Sequence, residues 1–355
     1  MIEQEDLRAA VGSGLISERQ AAGLINLSHS RKGARENLSP GDEPFELFKG
    51  FNEVFIVIGL LILAFGWWSV VTLILIDEAP NLQRYAMLVA GAGAVVIWLL
   101  SEYFVRVRRM IGPAMALLIM FASNSAFGFI AIMSEPFMVA QNDYSSVPFP
   151  LFLATLTILI YWWRFRVPFA MAMIAVGLFV VAIVYVASRE GRVADFSEFF
   201  LLSAGGPFAW ITLILGLLVF AVAMAFDMSD PHRVTSRSAN GFWLHVVAAP
   251  ALVNTMALSL LDQEGAGANL ILLGVLAMFA VVAIVIDRRS FLIAAIGYIV
   301  ALAAAVFDGD GAAVTVLALG VVLLLLGAFW EKIRARILRL MPGFIPLHRL
   351  PPSQV

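Results

Sequence analysis

Long apolar stretches alternate with short polar stretches along almost the whole chain after residue 53. Ten of these stretches approach the length of roughly 20 mostly apolar residues that crosses a bilayer as a helix. The fourth and fifth are separated only by RFR, so this pair is predicted to form a tight hairpin. The predicted spans cover residues 54–76, 85–105, 110–133, 148–163, 167–187, 207–226, 241–261, 269–286, 290–307 and 312–330.

The composition agrees with lipid as the main solvent of the chain. Hydrophobic residues make up 61% and charged residues 14% of the 355 residues, whereas soluble domains hold about 45–50% apolar and about 25% charged residues. The predicted fold is therefore all-α, a polytopic transmembrane helix bundle over residues 51–330. The sequence contains no Cys, which excludes disulfides, thiolate metal sites and thiol nucleophiles.

The basic residues predict the orientation of the bundle. The N-terminal segment, the connections after spans 2, 4, 6 and 8, and the C-terminal tail together hold 20 of the 23 Lys and Arg residues. The other three are Arg84, Arg189 and Arg192. Because Lys and Arg are retained on the cytoplasmic side, both termini are predicted to be cytoplasmic, in the inner membrane of a bacterium. The polar start of the chain does not resemble a cleaved signal peptide.

Residues 1–50 are predicted to form a cytosolic helical hairpin followed by a polar linker. Ser17 and Gln20 have the spacing of a capping box, in which each residue bonds the backbone of the other. The linker RKGARENLSPGDEP has too few apolar residues to fold alone, so it is expected to pack on the membrane domain or on a partner.

The tail, residues 331–355, begins with a predicted amphipathic helix on the cytoplasmic surface. Its basic and apolar residues repeat at helical spacing on opposite faces. The expected partner is anionic lipid, and docking on another protein is the alternative. The basic residues are Arg334, Arg336 and Arg339, and the apolar residues are Ile333, Ile337 and Leu340.

Two asparagines are the deepest strongly polar side chains in the predicted spans. Asn124 in span 3 and Asn254 in span 7 both lie about 20 Å from the inner boundary at 1.5 Å per residue. Ser123 and Thr255 flank them. Hydrogen bonds between helices are one interpretation of these residues. A neutral substrate-binding site at mid-depth is the other, and it requires spans 3 and 7 to be neighbours.

His245 and Pro250 belong to the stretch GFWLHVVAAPALVNT in span 7. His245 lies near the inner boundary, where an interfacial or helix-packing histidine is one interpretation and a proton relay or ligand contact is the other. Pro250 should bend the helix because it cannot donate to the Val246 carbonyl. A role in gating is the functional interpretation of that bend.

The sequence contains none of the residue patterns that are typical of several classes of enzyme and carrier. No acidic or basic residue lies at the core of a predicted span, although ion-coupled carriers place such residues there. Catalytic triads, phosphate loops and HExxH motifs are also missing. No catalytic residue, metal site or cofactor is therefore predicted, and the basic clusters at the membrane ends do not form a nucleic-acid surface.

The segments SDPHRVTSRSANGFWLHVVAAPALVN and GLISERQA resemble uncharacterised bacterial multi-spanning membrane proteins that carry a short cytosolic helical hairpin before many helices. This resemblance implies a layout but no activity, so it assigns no functional residue.

Two functions agree with the sequence. One is a permease or carrier for a small neutral or weakly polar solute, with Asn124 and Asn254 near its path. The other is a non-catalytic accessory or sensory subunit that acts through its N-terminal hairpin and its tail. The lipid bilayer is a partner in both, and a homo-oligomer or a protein partner is compatible with either.

Overall fold

The fold is described by a computed structural model, which is helical with no strand over the residues that it describes. These are residues 51–77, 81–135, 138–141, 143–191, 196–202, 206–233, 235–263, 266–288, 324–342 and 346–351, with isolated positions between 10 and 24 and between 317 and 321.

Eight of the described helices are long and apolar enough to cross a membrane. Many large apolar side chains on them face outward, such as Phe65 of the first helix, which is 77% exposed. Because water would penalise so much exposed apolar surface, the bundle is that of a multi-pass membrane protein. The helices are α1 (Phe51–Asp77), α2 (Leu82–Ser101), α3 (Ile111–Met133), α4 (Pro148–Phe165), α5 (Phe169–Glu190), α6 (Phe208–Ser229), α7 (Ser236–Leu261) and α8 (Ala266–Ile286).

Shorter helical elements lie between and after the eight long helices. Helix α2 continues as a π-helical segment, Glu102–Val107. One helical turn, Met138–Gln141, lies between α3 and α4, and a 3₁₀ turn, Phe196–Phe199, lies between α5 and α6. Helix α9 (Trp330–Leu340) and a 3₁₀ turn at Leu347–Arg349 belong to the C-terminal part of the chain.

The connections that follow α2, α4, α6 and α8 share one backbone feature. Each contains a non-glycine residue in the left-handed region: Arg109 (φ 50°), Arg166 (φ 53°), Arg233 (φ 53°) and Asp287 (φ 56°). A residue in the left-handed region ends a helix abruptly. Most residues other than glycine adopt this conformation at a cost in free energy. The hairpins α2–α3, α4–α5 and α6–α7 therefore close tightly, at the basic ends of the helices.

Close contact within each hairpin depends on a glycine. A Cβ at any of the three positions would come within 3.1 Å of a side-chain atom of the partner helix, so the glycine lets the backbones approach. The pairs are Gly128 of α3 with Ala90 of α2, Gly177 of α5 with Thr155 of α4, and Gly216 of α6 with Ala251 of α7.

The buried core is divided between two groups of helices. Leu117, Tyr161 and Phe165 belong to the first cluster, which α1 to α5 share, and Val253 and Leu276 belong to the second, which α6 to α8 share. A third cluster joins α5 to α6 and α7. Helix α5 is therefore the element that holds the two groups together.

The first eight predicted spans are confirmed as helices, with two differences that matter for the site. Helix α6 runs to Ser229 rather than residue 226, and α7 begins at Ser236 rather than residue 241. Span 9, residues 290–307, lies outside the described residues, and most of span 10 does as well. Ten spans and cytoplasmic termini stay predictions.

Most of the N-terminal segment also lies outside the described residues, but its capping box is present. The backbone N of Ser17 donates to Oε1 of Gln20 at 2.9 Å, and the backbone N of Gln20 donates to Oγ of Ser17 at 3.3 Å. The division of the chain into hairpin, bundle and tail stays a prediction.

Candidate functional site

The polar residues at mid-depth bond mainly to helix backbones. Asn124 Nδ2 donates to the Ala90 carbonyl of α2 at 2.8 Å. The hydroxyls of Ser123 and Thr255 donate to carbonyls of their own helices, at 2.9 and 2.6 Å. Asn254 is half-buried on α7. These hydrogen bonds agree with the first interpretation of the polar residues, in which they bond within and between membrane helices.

The structure places the two asparagines on helices with different main neighbours. Helix α3, which carries Asn124, packs chiefly on α1, α2 and α4, whereas α7, which carries Asn254, packs chiefly on α5, α6 and α8. A cavity that both side chains share stays a prediction.

Asn124 also lies in a closely packed polar site between α1, α2 and α3. Its Oδ1 and the Nε1 of Trp67 are enclosed, and neither has a hydrogen-bond partner within the part of the chain that the structure describes. Gly93 leaves the room for the amide, since a Cβ there would lie 2.5 Å from Oδ1. An acceptor and a donor left open in this way can bind a water molecule or a small polar solute.

Pro250 does not interrupt its helix. Helix α7 continues through it from Ser236 to Leu261, and the proline ring is exposed on the outer surface of the bundle. Its role in gating stays a prediction.

His245 is fully buried and contacts a carboxylate. Its Nε2 lies 3.0 Å from Oδ2 of Asp227, which is in the last turn of α6. The ring of Phe220 packs edge-on against the imidazole, with 5.5 Å between the centroids. The histidine thus packs between helices within a charged cluster.

The third member of this cluster is Arg288, which follows α8 by two residues. Its Nε donates to Oδ2 of Asp227 at 3.0 Å, and its Nη2 donates to Oδ1. The same Nη2 donates to the Ser238 carbonyl at 2.8 Å. Asp227 is 4% exposed and Arg288 is 7% exposed, so this two-point ion pair is buried. We call Asp227, His245 and Arg288 the ionic cluster.

Backbone and aromatic neighbours fit closely around the ionic cluster. A Cβ on Gly241 would overlap the Asp227 carboxylate, so the glycine admits that carboxylate to the surface of α7. The Arg288 guanidinium lies over the Phe242 ring at 5.9 Å from its centroid. The sequence of α7 is therefore shaped around the charged groups.

Hydropathy does not single out Asp227, because the predicted span 6 ends at residue 226. A usable signal exists: Asp227 and His245 lie at equal separations from position 236, near the turn between the two helices. In an antiparallel hairpin such residues face each other. Arg288 has no comparable signal, because it comes from a third helix.

A second polar network lies beside the ionic cluster and reaches the C-terminal helix. Arg233 donates to the Asp287 carboxylate and to the Asp287 carbonyl, both at 2.8 Å, and Trp330 Nε1 donates to Asp287 Oδ1 at 2.8 Å. Burial lowers the pKa of Arg233, the nearby Arg288 lowers it further, and Asp287 raises it.

The tail helix differs from its predicted pattern at Arg334. This residue is 1% exposed, and its guanidinium donates to the Ile284 and Val285 carbonyls at the end of α8 and to the Pro351 carbonyl. A cation satisfies the unpaired carbonyls at a helix C-terminus. Arg334 is thus part of the protein interior, while Arg336 and Arg339 are exposed as predicted.

A cavity of about 450 Å³ lies between the α4–α5 turn, α6 and α7. One part of its lining, the apolar wall, consists of Val222, Ala225 and Phe226, and the rest of the lining is mainly polar and basic. Trp162 lies in the last turn of α4 and Arg166 directly follows that helix, and Ser229, Ser236, Arg237 and Asn240 come from α6 and α7. We call this cavity the basic groove.

Comparison with family models, curated proteins and solved structures gives no match. Among the described residues, no group of three or more His, Asp or Glu has the arrangement of a metal site. The ionic cluster and the basic groove, both built on α6 and α7, are therefore the features from which a function is argued.

Proposed function

We propose that the protein is a non-catalytic accessory or sensory subunit in the inner membrane of a bacterium, whose bundle acts through its tail. The observation that carries this proposal is that two adjacent polar networks lead from α6 and α7 to α9. Arg288 of the ionic cluster is the chain neighbour of Asp287, and Asp287 accepts hydrogen bonds from Arg233 and from Trp330 of α9.

These networks suit a device that transmits a change of shape. Each of their side chains makes directed hydrogen bonds in a buried or half-buried place, where such bonds hold groups in one arrangement. A shift of α6 against α7 changes the position of Asp227, and the linked groups pass the change to the tail helix. The tail also offers exposed Arg336 and Arg339 to a membrane surface or a partner.

Cytoplasmic termini are part of this proposal. The tight turns after α2, α4, α6 and α8 lie in the connections that hold most of the basic residues between spans. The positive-inside rule assigns these turns to the cytoplasm, and it assigns the tail to the same side.

The experiment compares two altered forms of the full chain in native membranes. One variant lacks the exposed basic residues of the tail (Arg336→Gln with Arg339→Gln), and the other lacks the mid-depth polar groups (Asn124→Leu with Asn254→Leu). The readout is a stoichiometric complex resolved by native electrophoresis and identified by mass spectrometry. The proposal expects loss of the complex only with the tail variant; loss only with the asparagine variant, or no complex, contradicts it.

A carrier for a small neutral solute is the second candidate function. The observation in its favour is the spot where Asn124 Oδ1 and Trp67 Nε1 have no hydrogen-bond partner among the described residues. Uptake of radiolabelled small polar solutes into proteoliposomes tests it. Transport that Asn124→Leu abolishes and the tail variant leaves intact would favour the carrier over the accessory role.

A further inference from the structure

We propose that the basic groove binds the headgroup of an anionic phospholipid, with the phosphate between Arg166 and Arg237 and an acyl chain along α6. This site is separate from the tail helix, for which lipid contact is expected from the sequence. The inference does not rest on the accessory role, because a carrier could use the same site.

The charges of the groove carry the first step of the argument. Arg166 and Arg237 line it, and none of the described residues that line it is acidic. Within the described ranges, neither guanidinium pairs with a carboxylate, whereas Arg164 in the last turn of α4 pairs with Glu102 at 2.8 Å. Two uncompensated guanidinium groups that face one cavity are suited to a phosphate, which accepts several hydrogen bonds from them.

Both arginines are positioned rather than free on the surface. The guanidinium of Arg166 stacks over the Trp162 ring at 5.1 Å from its centroid, and the left-handed backbone of Arg166 ends α4 at this point. Arg237 lies in the first turn of α7, where Thr235 caps the helix by accepting from the Arg237 backbone N at 3.2 Å. Positive charge of the helix N-terminus adds to the attraction for an anion.

A buried amide supplies an independent observation that points to a ligand. Asn240 lines the groove and is 4% exposed, and its Oδ1 has no hydrogen-bond partner in the described part of the chain. A buried polar atom of this kind costs free energy unless a partner satisfies it. A headgroup hydroxyl is such a partner, which favours a headgroup that carries hydroxyls, as glycerol does.

The apolar wall distinguishes a lipid from a free phosphate ester. Val222, Ala225 and Ser229 follow one face of α6, and Val222 lies about 10 Å from Ser229 along the axis at 1.5 Å per residue. Val222 is 49% exposed on the outer surface of the bundle. A headgroup at the basic end therefore leaves its acyl chain on this apolar face, inside the hydrocarbon.

The experiment titrates the full-length protein in detergent with phosphatidylglycerol or phosphatidylcholine and counts bound lipid by native mass spectrometry. We expect the first phosphatidylglycerol to bind at least tenfold more tightly than phosphatidylcholine. Arg237→Gln, at an exposed position, should weaken phosphatidylglycerol about fivefold, and adding Arg166→Gln should weaken it about fivefold more. The matched control is Arg108→Gln, which removes an exposed arginine from the turn between α2 and α3 and should change this affinity less than twofold.

Three results would overturn the proposal. The first is unchanged affinity in the Arg166→Gln, Arg237→Gln variant, and the second is a loss in the Arg108→Gln control equal to that in Arg237→Gln. The third is binding of glycerol phosphate in the same titration as tight as that of phosphatidylglycerol, because it would make the ligand a free phosphate ester. Gel filtration shows whether the double variant folds. If it does not, the single variant Arg237→Gln still tests the proposal.

Discussion

Arg288 and Asp227 meet through two hydrogen bonds although 61 positions separate them in the chain. The guanidinium approaches from the end of α8, and the carboxylate from the last turn of α6. His245 of α7 contacts the same carboxylate from another side. One aspartate therefore fixes the positions of three helices, at the end of the bundle where basic residues concentrate.

Removing the aspartate charge should destabilise the protein strongly. Asp227→Asn leaves Arg288 buried without its anion, a loss that costs about 3–5 kcal/mol in comparable pairs. Unfolding by a denaturing detergent, followed by circular dichroism, measures the change. Glu135→Gln is the control on an exposed carboxylate, and it should change stability by less than about 0.5 kcal/mol.

Replacing both partners tests whether the cost comes from an unpaired charge. The pair Asp227→Leu with Arg288→Met removes both buried charges, so it should be more stable than Asp227→Asn alone. A double variant that is less stable than the single one would mean that the hydrogen bonds, and not the charge balance, hold the helices.

His245 contributes a smaller share to the same cluster. His245→Leu takes one hydrogen-bond partner from the Asp227 carboxylate, which costs about 1–3 kcal/mol for a buried group. His232→Leu is the control, because His232 is exposed in the nearby turn and should change stability little. The same detergent unfolding assay ranks the two variants, and equal effects would contradict a role for His245 in the cluster.

The sequence predicted the helices well but not the groups that join them. Apolar length and basic connections suffice to find α1 to α8, because lipid requires each span to satisfy its own backbone. The ionic cluster depends on where α6 ends and on where the end of α8 lies relative to α6 and α7. Neither fact is encoded in hydropathy, which leaves Asp227 outside the predicted span 6 and Arg288 among the basic residues after span 8.

The tail helix is a second case in which the sequence pattern does not predict the contacts of a charged residue. The predicted basic face groups Arg334 with Arg336 and Arg339, but at 3.6 residues per turn Arg334 lies about 160° from Arg336, and Arg334 is buried. Only the tertiary structure shows that the end of α8 presents open carbonyls to Arg334. The candidate pair Asn124 and Asn254 was chosen by depth alone, which does not predict which helices are neighbours.

Gly241 should tolerate no larger side chain. In Gly241→Ala the new Cβ would overlap the Asp227 carboxylate and lie 3.2 Å from the Ala223 carbonyl oxygen, so α6 and α7 must move apart. We expect a loss of about 1–3 kcal/mol in detergent unfolding. Gly66→Ala is the control within α1, where nothing lies within 4 Å of the new Cβ. Because alanine favours helix, that variant should be unchanged or more stable.

Arg334 should hold the tail helix against α8. Arg334→Ala leaves the Ile284 and Pro351 carbonyls without this donor, so α9 should detach more often and become a better protease substrate. The measurement is the rate of limited proteolysis near Arg336 in detergent, followed by mass spectrometry. Arg336→Ala cannot serve as a control for a protease that cleaves after arginine, so the comparison uses a protease that cleaves at apolar residues. With that protease, Arg336→Ala should match the wild type, and an equal rate in Arg334→Ala would contradict the docking role.

The orientation of the bundle can be tested directly because the chain contains no cysteine. Arg108→Cys places a single thiol in the turn between α2 and α3, and Ser145→Cys places one before α4; both positions are exposed. If the basic turns are cytoplasmic, a membrane-impermeant maleimide should label Ser145→Cys in intact spheroplasts and Arg108→Cys only after permeabilisation. The reverse pattern would invert the bundle and move the basic groove, the ionic cluster and the tail to the outer face. Because anionic headgroups and cytoplasmic partners would then be assigned to the wrong surface, this labelling is the measurement on which both proposals depend most.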